Sequence, residues 1–184
     1  KRIDDFLLLS EDKKDESITA EAVIEGCEAC AVYFENLSFS YDIAVPVLKD
    51  MTLQIPFGES VTLAGRTGVG KSTLFALVMG LLRPTSGRIL IGGFDAYKVP
   101  DGIKRNIFGY VEQNFRFVPG TVAEQISLGD PSISSERVRQ VCEAVGLSEC
   151  IKALELGYDT ILTGNSSFSW GQCQLLSIAR AVAS

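Results

Sequence analysis

The chain has 184 residues and a net charge of −6, with 46% apolar and 22% charged residues. That is enough length for one domain with a sizeable core, in an ordinary globular balance. The acidic balance excludes a sequence-blind nucleic-acid binder, which needs a basic surface, but leaves room for phosphates held locally by backbone amides. No apolar run approaches the roughly 20 residues that cross a bilayer. No h-region or small-residue cleavage site follows the charged start, so a membrane is expected to be reached through a partner domain.

The five cysteines are an odd number without secretory marks and read as reduced thiols. Cys27 and Cys30 form a lone C-x-x-C; with no second pair and no histidine anywhere, ligands for zinc are missing.

In chain order, Ile3, Phe6 and Leu7 stand at helical spacing and suggest the end of an amphipathic helix in residues 1–9. The stretch SEDKKDESI, residues 10–18, reads as a solvated charged linker. Strand patterns follow at Ala31–Phe39 and Met51–Ile55, and Ser60–Ala64 is an apolar strand-like run entering a glycine cluster. A helix is expected over Gly70–Leu82, stopped by Pro84 and Gly87. Strands are expected at Arg88–Ile91 and Ile107–Val111. Helices are expected at Thr121–Leu128, Glu136–Val145, Ser148–Leu156 and Trp170–Val182.

Gly65-Arg66-Thr67-Gly68-Val69-Gly70-Lys71-Ser72 fits G-x-x-x-x-G-K-[ST], the P-loop. Its glycines let backbone N–H groups turn inward on phosphate oxygens, and the helix that follows aims its positive end at the same anion. Lys71 has the reach for the β- and γ-phosphates, and the Ser72 hydroxyl is suited to Mg2+. The competing reading is a plain strand-to-helix turn. It is disfavoured because an apolar run precedes the loop and a helical pattern follows it.

Two further stretches narrow the class. Gly109-Tyr110-Val111-Glu112-Gln113 is followed by Val118-Pro119-Gly120-Thr121-Val122; then comes Ser167-Phe168-Ser169-Trp170-Gly171-Gln172, leading to Ala179-Arg180-Ala181. With Val32–Tyr41 and Val47–Leu53 ahead of the P-loop, the chain over residues 31–184 resembles the ABC transporter ATPase family. Its fold class is accordingly α/β: a P-loop NTPase core with an N-terminal antiparallel β subdomain and a helical signature subdomain, the C-terminal part of the core missing.

The resemblance implies an organisation and a set of roles. Residues 1–30 would be the end of an upstream helix plus a charged linker, and 31–184 a partial ATP-binding domain. Within it the β subdomain and P-loop would take about 31–112, the Q-loop and helical subdomain about 113–170, and the signature helix about 170–184. ATP would be held by Tyr41, Val47, Gly65, Arg66, Thr67, Gly68, Val69, Gly70, Lys71, Ser72, Thr73 and Gln113, with Tyr41 stacking on the adenine. Ser72 and Gln113 would serve Mg2+, and Lys71 and Gln113 would be the catalytic groups. Phe168, Ser169, Trp170, Gly171 and Gln172 would act in trans on the nucleotide of a second cassette in a head-to-tail dimer. Phe168 and Trp170 depart from the usual leucine and glycine, whereas Gly171 keeps a close backbone approach open.

The GTVAEQISLGD stretch and an upstream helix end point to the exporter type, with a transmembrane domain earlier on the same chain and the ATPase at the cytoplasmic face of a membrane. Thr163-Gly164-Asn165-Ser166-Ser167 lacks the acid that exporters often carry before the signature. The family's Asp-Glu strand end and its histidine do not follow the signature helix here. The expectation is therefore a truncated segment without ATPase activity of its own, folding poorly, with the apolar face of Trp170–Val182 uncovered. The alternatives are a soluble ABC ATPase acting on DNA or ribosomes, and a regulatory cassette that binds nucleotide without turnover. No long heptad arm of the DNA-repair kind lies between P-loop and signature.

Overall fold

Strand β1 (Val32–Asp42) is the hub of an antiparallel sheet, pairing on one side with β2 (Val45–Ile55) and on the other with β3 (Ser86–Ile91), which carries the short β4 (Phe94–Asp95). The computed structural model describes residues 13–42, 45–112, 115–162 and 168–183; the helix end expected in residues 1–9 lies outside them. The chain divides into two compact units, residues 1–107 and 108–184.

In the first unit, Phe34 sits opposite Leu53 and Ile89, and the strand is not a clean alternation. Its ladder to β2 shifts register between Phe34 and Leu37, where Asn36 takes a φ of 46°. The extra residue turns Phe34, Leu37 and Phe39 all to the buried face, where they meet Ile89 and Ile91 as core residues. Helix α1 (Ala20–Ala29), capped by Thr19 Oγ1 accepting from Ala22 N at 3.2 Å, buries Val23 in this unit. A Cβ on its Gly26 would stand 1.9 Å from the carbonyl oxygen of Gly92, so the helix lies on the backbone of the β3–β4 turn.

Of the solvated linker expected at residues 10–18, the described part keeps Lys13, Asp15, Glu16 and Ser17 exposed but is docked rather than free. Lys14 Nζ donates to Tyr97 O at 2.7 Å and stands 4.6 Å from the Tyr97 ring centroid, Asp15 N donates to Lys98 O, and Ile18 is buried. Charge density misled here because the long lysine stem lies along an aromatic ring while its head finds a carbonyl.

Helix α2 (Lys71–Val78) follows the glycine cluster and buries Leu74 and Leu77. It stops short of Leu82 because the chain turns at Gly80, φ 64°. There the buried Lys104 of α3 (Asp101–Ile107) donates to Gly80 O at 3.2 Å and to Asp101 Oδ1 at 3.3 Å. Burial pushes this ammonium below its ordinary pKa, with Asp101 opposing.

Two strand expectations are corrected. Ser60–Ala64 has no regular secondary structure, and Val61 is 51% exposed; residues 108–112 are irregular. A strand persists only where a neighbour takes its backbone hydrogen bonds, and none of the described strands pairs with either run.

The second unit is helical. Helices α4 (Val122–Ser127), α5 (Ser135–Ala144), α6 (Ser148–Lys152) and α7 (Trp170–Ala183) enclose one core of Val122, Ile126, Val141, Leu147, Ile151 and Leu176. Gly120–Thr121 (β5) pairs with Ile161–Leu162 (β6) at its edge. α6 is shorter than expected and gives way to a 3-10 turn at Gly157–Asp159. The apolar face of α7 is not left uncovered: Leu176 and Ala179 are fully buried against the unit, while Ile178 and Val182 remain exposed.

Candidate functional site

The glycine cluster forms the turn that its spacing predicts. Gly68 and Gly70 take φ of 85° and 97°, left-handed values that a side chain resists, and Gly70 sits at the N-terminus of α2. No side chain caps that terminus, so its first N–H groups are left for an anion. Lys71 Nζ folds back across the loop and donates to Gly65 O at 2.7 Å and Arg66 O at 2.9 Å. The ammonium is thereby fixed over the concave side of the turn. Arg66, Thr67 and Val69 are exposed along the loop, and Ser72 is exposed on the first helical turn.

Strands β1 and β2 bring two more expected residues to this loop. A Cβ on Gly70 would lie 2.8 Å from Val47 Cγ1, so Val47 packs directly on the turn. Tyr41 is 69% exposed at the end of β1, and its oxygen is 3.2 Å from Thr73 Oγ1 on α2. The Tyr41 ring meets Phe39 edge-on, with centroids 4.9 Å apart, which leaves a face free for stacking.

These groups fit a nucleoside triphosphate: an open glycine turn, an uncapped helix end, one fixed ammonium, a hydroxyl for a magnesium ion and an aromatic face to one side. A cleft of about 670 Å3 on the same unit, lined by Lys13, Arg83, Arg88, Asp95, Tyr97 and Lys98, contains none of them. It is an open basic surface in which Arg88 is already paired with Glu35. The chemistry decides for the loop. Among the described residues no cluster of three or more histidine, cysteine, aspartate or glutamate side chains could hold a metal ion.

Gln113 lies outside the described residues. Its neighbour Glu112, already in the second unit, pairs with Arg116 at 3.6 Å.

The signature stretch opens α7. Ser169 Oγ accepts from Gln172 N at 3.3 Å, and Gln172 Oε1 accepts from Ser169 N at 2.8 Å, a reciprocal capping box. The S-x-x-Q spacing carried this signal in the sequence and went unused. Phe168 is buried in the unit's core and anchors the turn; Trp170 is 71% exposed, and a Cβ on Gly171 would meet nothing within 4 Å. Ser169 and Gly171 are thus at an open helix start. Sequence reasoning also passed over Gln125, which is buried, and gave Arg180 no role. Arg180 Nε donates to Gln125 O at 2.8 Å, and burial holds its guanidinium below the ordinary pKa.

The family model described as ABC transporter matches residues 48–184. The chain belongs to the ABC transporter family. Among curated ABC proteins it is 35% identical over 182 residues to an uncharacterized ABC transporter ATP-binding protein, YfiC, of Bacillus subtilis, covering 98% of this chain and 30% of that protein. It is 41% identical over 153 residues to the mycobactin import ATP-binding/permease protein IrtA of Mycolicibacterium smegmatis, covering 83% of this chain and 18% of that one. With the ATP-dependent lipid A-core flippase of Chromohalobacter salexigens it shares 35% identity over 170 residues, 91% of this chain and 29% of the flippase. Its fold matches the structure of a bacterial Atm1-family ABC exporter with ATP bound, at a TM-score of 0.76 and 29% identity, covering 84% of this chain and 27% of that one. The chain therefore spans less than a third of the length of these ABC relatives.

Proposed function

We propose that this chain is the nucleotide-binding part of an exporter-type ABC transporter, which binds and hydrolyses Mg-ATP and closes head to tail on a second cassette. The observation that carries this reading is the phosphate loop itself: Lys71 Nζ pinned over Gly65 and Arg66 beside an uncapped helix start. Bound ATP supplies the phosphoanhydride whose cleavage powers transport. Gly65 through Thr73 wrap its phosphates, Val47 backs the loop and Tyr41 takes the adenine. Ser72 and Gln113 serve the magnesium ion, and Gln113 with Lys71 addresses the γ-phosphate. Ser169, Trp170, Gly171 and Gln172 form the start of α7 that covers the partner's nucleotide, with Phe168 anchoring that start from the core.

The domain plan proposed is the one the sequence suggests, a β subdomain with P-loop to about residue 112, a helical subdomain to about 170 and the signature helix beyond. The helix α1 and the docked residues 13–18 join its first part. A transmembrane domain on the same whole protein and a place at the cytoplasmic face of a membrane are supported by the ATP-binding/permease names of relatives and by an ATP-bound exporter as structural neighbour. Those names weigh against a soluble role on DNA or ribosomes. No described helix is long and apolar enough to cross a membrane.

Residues 170–184 contain neither the water-polarising acid nor the histidine that the family implies; we assign turnover to the whole protein and expect residues 1–184 alone to be inactive. The test is calorimetry of Mg-ATP binding to the intact cassette and to Lys71→Ala. A charge-assisted contact of this kind is worth roughly 1.5–3 kcal/mol, so affinity falls about 10- to 150-fold in the variant. Equal affinity in the two proteins refutes the assignment.

A further inference from the structure

Residues 115–118 are not held in the helical unit by packing alone. Gln125, on α4, is fully buried, and its carboxamide mimics a strand neighbour for Val118. Val118 N donates to Gln125 Oε1 at 2.9 Å, and Gln125 Nε2 donates to Val118 O at 2.7 Å. From α7, Arg180 reaches the same place. Its Nε donates to Gln125 O at 2.8 Å, an Nη donates to Arg116 O at 3.3 Å, and the guanidinium lies 4.6 Å from the Phe115 ring centroid. Phe115 in turn meets Phe117 edge-on at 4.8 Å.

Two features set this cluster apart from ordinary core filling. A leucine would occupy the space of Gln125 without burying an amide, and a buried amide is tolerated only when it is fully satisfied. Arg180 uses its planar fork to join carbonyls of two separate segments, which a flexible ammonium does less well. Both side chains donate to backbone carbonyls of residues 116–125.

We infer that Gln125 and Arg180 are positioning residues that clamp residues 115–118 to α7, so that this segment and the helix start at Ser169 and Gly171 move as one body. Neither side chain needs to touch nucleotide. This rests on the functional reading above, in which the helix start at Ser169 and Gly171 must be held in shape to meet a nucleotide.

The experiment uses the full-length protein and has two arms. The first is amide hydrogen exchange without nucleotide, read on peptides covering 115–119 and 170–183. In the native protein the Val118 amide, which donates to Gln125 Oε1, and the 170–183 peptide exchange slowly, and the 115–119 peptide is read for that one protected amide. In Gln125→Leu the 115–119 peptide becomes fast while 170–183 stays slow. Fast exchange of every amide of 115–119 in the native protein, Val118 included, overturns the clamp, with no variant needed.

The second arm is ATPase kinetics per nucleotide-binding site. Gln125→Leu and the milder Arg180→Lys are expected to lower kcat about tenfold with KM for ATP changed less than about twofold, since the P-loop is untouched. A structural role alone lowers the number of competent sites, not the rate at each. Combined with Ser169→Ala, the Gln125→Leu loss is expected to be less than additive, because both act through the same helix start. Unchanged kcat per site, or strictly additive losses, overturns the positioning role. A native protein that binds but never hydrolyses Mg-ATP refutes the functional reading while leaving the exchange result to decide the clamp.

Discussion

The phenolic oxygen of Tyr41 lies 3.2 Å from Thr73 Oγ1, which ties the open end of β1 to the first turn of the P-loop helix. The bond orients the ring, and the ring face is what a base would use. Tyr41→Phe keeps the face and should change ATP affinity less than about twofold, whereas Tyr41→Ala removes a stacking contact worth about 1–3 kcal/mol, or roughly 5- to 150-fold. Calorimetry on both variants separates tether from platform; equal losses in the two would assign Tyr41 to the tether.

Ser169 and Gly171 stand at a helix start with open space in front of Gly171. An anion site here is redundant with Lys71 unless it serves another nucleotide, so Gly171→Asp should leave ATP binding by a single cassette nearly normal. It should abolish ATP-driven dimerisation, because a carboxylate would face a phosphate in a closed seam. Size-exclusion chromatography of an intact cassette with its hydrolytic acid neutralised reads the dimer. A dimer as abundant as the parent's rules out the trans role.

Thr121 and Glu124 cap α4 reciprocally: Glu124 N donates to Thr121 Oγ1 at 3.2 Å, and Thr121 N donates to Glu124 Oε2 at 2.7 Å. The hydrogen bonds from Thr121 hold the Glu124 carboxyl below its ordinary pKa. A carboxylate depressed in the folded state adds stability that is present above the ordinary glutamate range and lost as the pH falls through the folded value. The melting temperature of the intact cassette should therefore fall on acidification by less in Glu124→Gln than in the native protein. Thr121→Val removes the neutral half of the cap and should cost about 1 kcal/mol at any pH.

Gly26 and Gly102 make a matched pair of helix glycines. Gly26→Val must push a branched side chain into the Gly92 carbonyl, a backbone atom that cannot swing away, and should destabilise the intact cassette by about 1–3 kcal/mol. Gly102→Ala, with nothing within 4 Å, should stabilise it by about 0.5–1 kcal/mol. Chemical denaturation of both variants checks the pair; a Gly26→Val protein as stable as its parent would show that α1 does not lie on the turn.

The phosphate loop was readable in the sequence because its geometry is dictated within eight residues: glycines where φ is positive, a lysine and a hydroxyl at the helix start. The helices Thr121–Leu128 and Trp170–Val182 were readable for the same reason, their caps and periodicity being local. What sequence concealed depends on distant partners. The run Ser60–Ala64 has a strand's composition, but a ladder is a property of two segments, and the described strands offer it none. Helix α1 was hidden because its short apolar face, centred on Val23, is specified by the Gly92 backbone it covers. Gln125 and Arg180 each look ordinary alone; only the fold shows that they meet over the same loop.

The unpaired run at residues 60–64 has a bearing on handling the protein. A stretch that joins no described ladder, with Val61 half exposed, offers its amides and carbonyls to whatever chain approaches, and another copy of the same stretch is an available mate in a concentrated sample. Preparations of residues 1–184 should thus be prone to self-association through intermolecular β-ladders. A lysine in place of Val61 acts as a gatekeeper against that route without touching the glycine turn that follows.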